Sequence, residues 1–307
     1  MSNVEFTKKD FEIVGKNIDE SEKIVRKSLT YWQDAWRRLK ENKLAVLGLI
    51  IILTVLLMSI FVPIFTKYAY DFQDYNAISQ SPSSEHIFGT DNLGRDLFSR
   101  CWSGARTSLM VAGIATIINV TIGVIYGAVS GYAGGKVDLI MMRIIEIVYS
   151  IPQLLWVILL IVVMKPGIKP IIIAISITGW GGMARVVRGQ VLQLKQMEFV
   201  LAAKTLGADT GRLILRHLIP NTMGPIIINL TFQVPSAVFT EAFLSYLGLG
   251  IPAPAASWGS LAQSGTTMLL IHPYMLFFPA ALICIFMLAF NLLGDGLRDA
   301  LDPRLRN

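Results

Sequence analysis

From Leu44 to Phe65 the chain reads LAVLGLIIILTVLLMSIFVPIF, with no charged residue. About 20 such residues wound as a helix cross the roughly 30 Å hydrocarbon core of a bilayer. Inside hydrocarbon only helices and closed barrels satisfy their own backbone, so this run commits the chain to a helical membrane fold. It begins too far along the chain for a simple cleaved signal, and no small-residue cleavage site follows it, so it is expected to stay as an anchor. Further apolar runs lie at about 107–130, 139–164, 171–184, 219–250 and 266–293, which makes six spans. Composition agrees: 53% of residues are hydrophobic and 16% charged, against about a quarter charged in soluble domains.

The intervening segments set the topology. Residues 1–43 are polar and basic, and Tyr31–Lys40 is expected to form an amphipathic helix with Trp32 and Trp36 at the headgroup level. After the first span (44–65), residues 66–106 form the longest polar stretch, expected outside the cell. The remainder, 107–293, is a core of five further spans. It contains a basic loop at 185–218 with Arg185, Arg188, Lys195, Lys204, Arg212 and Arg216, and is followed by a polar tail at 294–307. If the amino end is inside, counting crossings puts the basic loop and the tail inside too, as the positive-inside rule requires. The net charge of +6 is therefore read as membrane topology, not as nucleic-acid binding. Gly123, Gly127 and Gly131, spaced by four, predict a face where helix backbones approach closely.

Catalytic chemistry is missing from the sequence. No G-x-x-x-x-G-K-[ST] loop is present, and the nearest approach, Gly134-Gly135-Lys136-Val137, lacks the hydroxyl residue and the earlier glycine. His86, His217 and His272 are scattered without metal-ligand spacing, and the two cysteines, Cys101 and Cys284, give neither a metal motif nor a disulfide framework. No cofactor or metal is expected to bind this chain.

Charges near hydrocarbon are costly enough to warrant scrutiny. Arg143 and Glu146, three apart on one helix, are expected to pair with each other at the mouth of a pathway. Glu241 has no opposite charge within a helical turn and must either face a wet pathway, as a gate would, or take a structural hydrogen bond from another helix.

The basic loop carries the most information. A short helix with Phe199, Ala202, Ala203 and Leu206 on one side offers an apolar face with small residues, and Gly207 then permits a sharp turn. Such a helix can dock in a partner's groove.

Ala202-Ala203, Gly207 and, after nine intervening residues, His217-Leu218-Ile219-Pro220 resemble the EAA loop of permease subunits of ATP-binding-cassette importers. Leu201 stands where that motif has its acidic residue, and His217 where it has isoleucine. The stretch Gly89-Thr90-Asp91-Asn92-Leu93-Gly94-Arg95-Asp96, the run Leu244–Gly250, Ser257-Trp258-Gly259 and the tail Asn291–Arg304 are similar to the C-type permease subunits of dipeptide, oligopeptide and nickel importers. The resemblance extends from about Trp32 onward. It implies an all-α, type I importer fold in a bacterial cell membrane, with both termini cytoplasmic. It also implies a homologous B-type partner permease, two cytoplasmic ATPases holding ATP and Mg2+, and an external peptide-binding protein. By the same resemblance Ala202, Ala203 and Gly207 form the docking core for an ATPase, with Phe199, Leu206 and Pro220 beside them and Arg212 and Arg216 meeting acidic groups. The motif Gly89–Asp96 would receive the binding protein or seal the outer mouth, or else serve as a structural loop. Oligopeptides or dipeptides are the expected cargo, with chelated nickel as the alternative.

Two other classes remain open on the sequence alone. A channel or carrier working without ATPases lacks paired intramembrane carboxylates, though Glu241 keeps it in view. A membrane enzyme or receptor lacks an assembled acid, base, nucleophile or metal set.

Overall fold

A computed structural model describes residues 30–301. The first part of the amino-terminal tail, 1–29, and the last residues, 302–307, lie outside the described residues. Among those described there is no strand beyond one isolated bridge between Thr90 and Asp96.

The polar segment before the first span forms α1 (Tyr31–Glu41), with Ala35 and Leu39 buried and Trp32 and Trp36 exposed, as its amphipathic pattern predicts. Asn42 caps α2 (Lys43–Phe65) by accepting from the Leu44 and Ala45 amides. α3 (Leu97–Ala133) is followed by α4 (Gly135–Ser150), α5 (Gln153–Met164) and α6 (Ile168–Leu194). A short helix, α7 (Glu198–Thr205), leads to a helical stretch at 210–221 that is π-helical over Leu213–Leu218. α8 (Met223–Leu244) ends in a π-helical turn, Ser245–Leu249; α9 (Trp258–Thr267) and α10 (Tyr274–Leu301) complete the chain. Among the described residues five helices are long and apolar enough to cross a membrane, and the pair α4 and α5, bent by 75° at Pro152, makes a sixth if taken as one broken span.

Four expected boundaries are corrected. The second span begins at Leu97, not 107, because Asp96 caps the helix through the Ser99 amide and Arg100 is paired inside the protein. The third span is broken where Pro152 cannot donate to the helix ladder. The basic loop starts later than 185, since α6 runs on to Leu194. The expected tail from 294 is helical as far as Leu301: Leu293, Leu297 and Ala300 pack on Leu39 and Ala45, and Gly296 lies against the Ala45 methyl. α9 was not foreseen, being too short and polar to read as a span.

The glycine stripe lies on the α3–α6 crossing. A methyl group on Gly127 would come within 2.3 Å of the Ala184 carbonyl oxygen, and one on Gly123 or Gly131 would come within 2.6 Å of Met183 or 3.0 Å of Val191. The main core is built from α2, α3, α5, α6, α8, α9 and α10, with Val111, Ala115, Ile171, Val238, Trp258 and Phe286 among its buried residues.

The helices define two ends of the bundle. At one, the segment between α2 and α3 meets the start of α10, where the Tyr274 hydroxyl donates to the Thr90 carbonyl. At the other, α1 touches the end of α10 through Tyr31, whose hydroxyl donates to the Leu301 carbonyl.

Candidate functional site

The loop between α6 and α8 is pinned on its inner side. Val200 of α7, with Leu213 and Leu218, is buried against Ala128 of α3, Met183, Val187 and Val191 of α6, and Ile226 of α8. Burying side chains of this size contributes about 1.5–3 kcal/mol each, so the loop is anchored to three long helices. Its outer side presents Phe199, Ala202 and Leu206, the last 88% exposed. Ala203 corrects the expected face: it turns inward beside Val200 and packs on the core. Gly207 has φ of +85° with nothing near the position of a side chain, and so provides the turn expected of it. Asp209 then caps the next helical stretch through the Arg212 amide at 2.9 Å. Arg212, Arg216 and Pro220 are all exposed.

The other basic residues of this region are engaged within the protein. Arg188 grips Asp138 of α4, Lys195 donates to the Gly131 carbonyl at the end of α3 at 2.8 Å, and Arg185 lies 5.0 Å from the Tyr149 ring centre. Arg143 and Glu146 pair at 2.6 Å as their spacing predicts, and both are exposed.

Glu241 is fully buried. Its carboxylate accepts from Ser108 of α3 at 2.6 Å and from Ser245 at 2.7 Å, and Ser108 also accepts from the Trp258 amide of α9. This is the structural hydrogen bond of the two alternatives, and it ties α3, α8 and α9 together.

The Gly89–Asp96 motif folds into a knot. Gly89 and Gly94 hold positive φ, and a side chain on Gly94 would strike the Asp74 carbonyl. The Thr90 hydroxyl donates to the Ala77 carbonyl and accepts from the Gln80 amide. Asp91 accepts from the Leu93 and Arg95 amides and from Arg95 Nε, while Asp96 holds His86 Nδ1 at 2.9 Å and the Ser99 amide at 2.8 Å. Thr90, Asp91, Arg95 and Asp96 are buried. On the surface beside the knot, the Tyr68 hydroxyl and Lys67 bond Glu85 and lower its pKa, while the Lys67 pKa is raised by its hydrogen bonds to the Tyr68 hydroxyl and then to Glu85.

A reading confined to ionisable groups misses another set. A cavity of about 400 Å³ opens between α3, the α4–α5 bend, α6 and α8, lined by Asn119, Gln153, Thr178, Gln233, Ser236 and Thr240. Asn119 sits in the notch left by Gly179, and the amide oxygens of Asn119 and Gln233 have no hydrogen-bond partner among the described residues. The signal was present as three amide side chains inside apolar runs, where an uncompensated polar group is costly. Hydrogen-bonding groups without a fixed charge suit a ligand that carries its own amides.

The overall shape defines the class. The chain superposes on a chain of a structure described as inward-facing conformations of the MetNI methionine ABC transporter, with a TM-score of 0.54 and 18% identity, over 67% of this chain and 96% of that one. This is the type I importer transmembrane fold. Residues 119–307 match the family described as binding-protein-dependent transport system inner membrane component, and residues 30–82 match the N-terminal TM domain of oligopeptide transport permease C. The chain is 55% identical to the oligopeptide transport system permease protein OppC of Bacillus subtilis, over 96% of this chain and 97% of that protein. It is 56% identical to the dipeptide transport system permease protein DppC of the same organism, over 94% and 90%. It belongs to the family of C-type permease subunits of dipeptide and oligopeptide ABC importers.

Proposed function

We propose that this chain forms half of the translocation pathway for oligopeptides or dipeptides and is driven by separate ATPases docking on the α6–α8 loop. Its partners in this reading are a B-type permease, two cytoplasmic ATPases that hold ATP and Mg2+, and an external peptide-binding protein. The loop and both termini are cytoplasmic, and the Gly89–Asp96 end faces outward. The observation that carries the coupling role is the two-sided loop: an exposed face of Phe199, Ala202 and Leu206 backed by Val200, Leu213 and Leu218 on α3, α6 and α8. A force applied to the outer face has a packed route to the spanning helices.

ATP closure of the ATPase pair shifts the permease pair between inward-open and outward-open states only if the loop binds the two motor states with different free energies. The polar cavity at Asn119 and Gln233 supplies amide-matching groups along the path, and similarity to permeases named for oligopeptides and dipeptides favours peptides over chelated nickel. Co-purification in mild detergent and ATP-dependent uptake test the reading. ATPase subunits should travel with this chain, and peptide uptake should stop when they cannot hydrolyse ATP. Uptake that persists without them overturns it in favour of a carrier.

A further inference from the structure

At the end of the bundle away from the α6–α8 loop lies a second cavity, of about 410 Å³, between the Gly89–Asp96 knot, the turn after α8 and the start of α9. Arg95 and Arg100 line it together with Gly248, Gln263 and Ser264, and no acidic residue among those described does. Both arginines are buried, at 8% and 5% exposure, and they share one carboxylate: Asp91 Oδ2 lies 2.7 Å from Arg95 Nε and 3.4 Å from Arg100 Nε. The other acid of the knot, Asp96, bonds His86 and the Ser99 amide and hydroxyl and forms no ion pair with either arginine. Two guanidinium groups against one carboxylate leave an excess positive charge in a site shielded from water.

The donors are equally uneven. Arg100 gives one terminal nitrogen to the Tyr70 carbonyl at 3.1 Å, and its Nε has no hydrogen-bond partner. Arg95 spends only its Nε on Asp91, which leaves both terminal nitrogens without a bond to any described residue. A guanidinium edge with two free donors matches a carboxylate in bidentate geometry. A buried, under-neutralised charge is costly by itself, and an anion in the cavity removes that cost.

We propose that this cavity is a subsite for the free α-carboxylate of a peptide, held by the terminal nitrogens of Arg95 with Arg100 behind it. The proposal rests on the peptide-permease reading. It places carboxyl-terminal recognition at the end of the bundle opposite the coupling loop, apart from the amide-lined cavity of Asn119 and Gln233.

The test uses the complete transporter in cells lacking other peptide uptake, with trialanine and trialanine amide as probes. Wild type is expected to take up the acid in preference to the amide. Arg95→Gln, which leaves Asp91 paired with Arg100, should lower that preference about tenfold, the effect of losing charge-assisted hydrogen bonds, because uptake of the acid falls more than uptake of the amide. An unchanged preference, an equal fall for both probes, or no preference in wild type overturns the subsite. Weaker retention of the binding protein at unchanged preference also overturns it, and assigns the arginines to a protein carboxylate. If Arg95→Gln fails to accumulate in the membrane, Arg95→Lys keeps a charge for Asp91 but loses the fork, and the same fall in preference is expected. Failure of wild type to take up either probe with ATP overturns the peptide reading, and the subsite with it.

Discussion

Arg188 of α6 holds Asp138 of α4 with two nitrogens, Nε at 2.5 Å and Nη2 at 2.6 Å, while Ser130 of α3 donates to the same carboxylate at 2.5 Å. Three helices thus meet on one acid, beside the residues where Lys195 binds the carbonyls that end α3. Paired charges of this kind lose more when one partner is removed than when both are replaced. Arg188→Gln should destabilise the detergent-solubilised protein by about 2 kcal/mol, and Asp138→Asn combined with Arg188→Gln should cost less than the two single changes summed. Thermal unfolding of the four proteins measures the coupling; strict additivity would show that the pair does not link α4 to α6.

Gly127 has no room for any side chain against the Ala184 carbonyl. Gly127→Leu should separate α3 from α6 and leave little folded protein after detergent extraction. Gly113 has open space beside it, so Gly113→Ala should be tolerated. Size-exclusion profiles of the two variants separate a packing role from a general intolerance of glycine substitution.

The loop offers a sharper contrast. Val200 within α7 is 3% exposed, and Leu206, which caps the end of that helix, is 88% exposed. Leu206→Glu and Gly207→Asp should leave membrane abundance near wild type and abolish ATP-coupled uptake, whereas Val200→Asp should lower abundance itself. Normal uptake by Gly207→Asp would remove the docking role.

Glu241 gives a test of function against architecture. The two serines donate to different carboxylate oxygens; the glutamine oxygen can accept from one hydroxyl while its NH2 donates to the oxygen of the other, so Glu241→Gln should retain most of the uptake. Glu241→Leu leaves two buried hydroxyls without their acceptor, each costing about 1–3 kcal/mol, and should lower thermal stability along with uptake. A stable but inactive Glu241→Gln protein would mean that the carboxylate acts in transport.

The polar cavity should behave in the opposite way. Gln233→Leu and Asn119→Leu remove amides that have no complete set of partners in the protein. Transport should therefore fall by about tenfold, the effect of one or two hydrogen bonds to a ligand, with unfolding temperature unchanged or raised. A parallel loss of stability would place these amides in the scaffold.

How much of this was legible follows from what a sequence displays. The run Leu44–Phe65 needs no tertiary information, because its length and lack of charge alone match a bilayer. The Arg143–Glu146 pair was equally readable, being a local helical spacing. The stretch 97–106 was not: Ser99, Arg100 and Arg106 look like a solvated loop until Asp91 and Tyr70 fold over Arg100. Ala203 was misplaced because an eight-residue helix has too few turns for its pattern to say which side faces the protein. Asn119 and Gln233 were passed over because neither carries a charge, although in hydrocarbon an amide is nearly as informative. The ion pair between Arg188 and Asp138, fifty positions apart, had no local signal.

The unbroken length of α3 has a mechanical consequence. Its 37 residues, at 1.5 Å each, make a rod of about 55 Å, with Arg100 near one tip and the Gly131 carbonyl held by Lys195 near the other. Rocking such a beam by about five degrees around its middle swings each tip by roughly 2.4 Å. A small push on the Gly131 tip therefore reaches Arg100 at the far tip as a comparable displacement, in the reverse direction, with no flexible joint to absorb it.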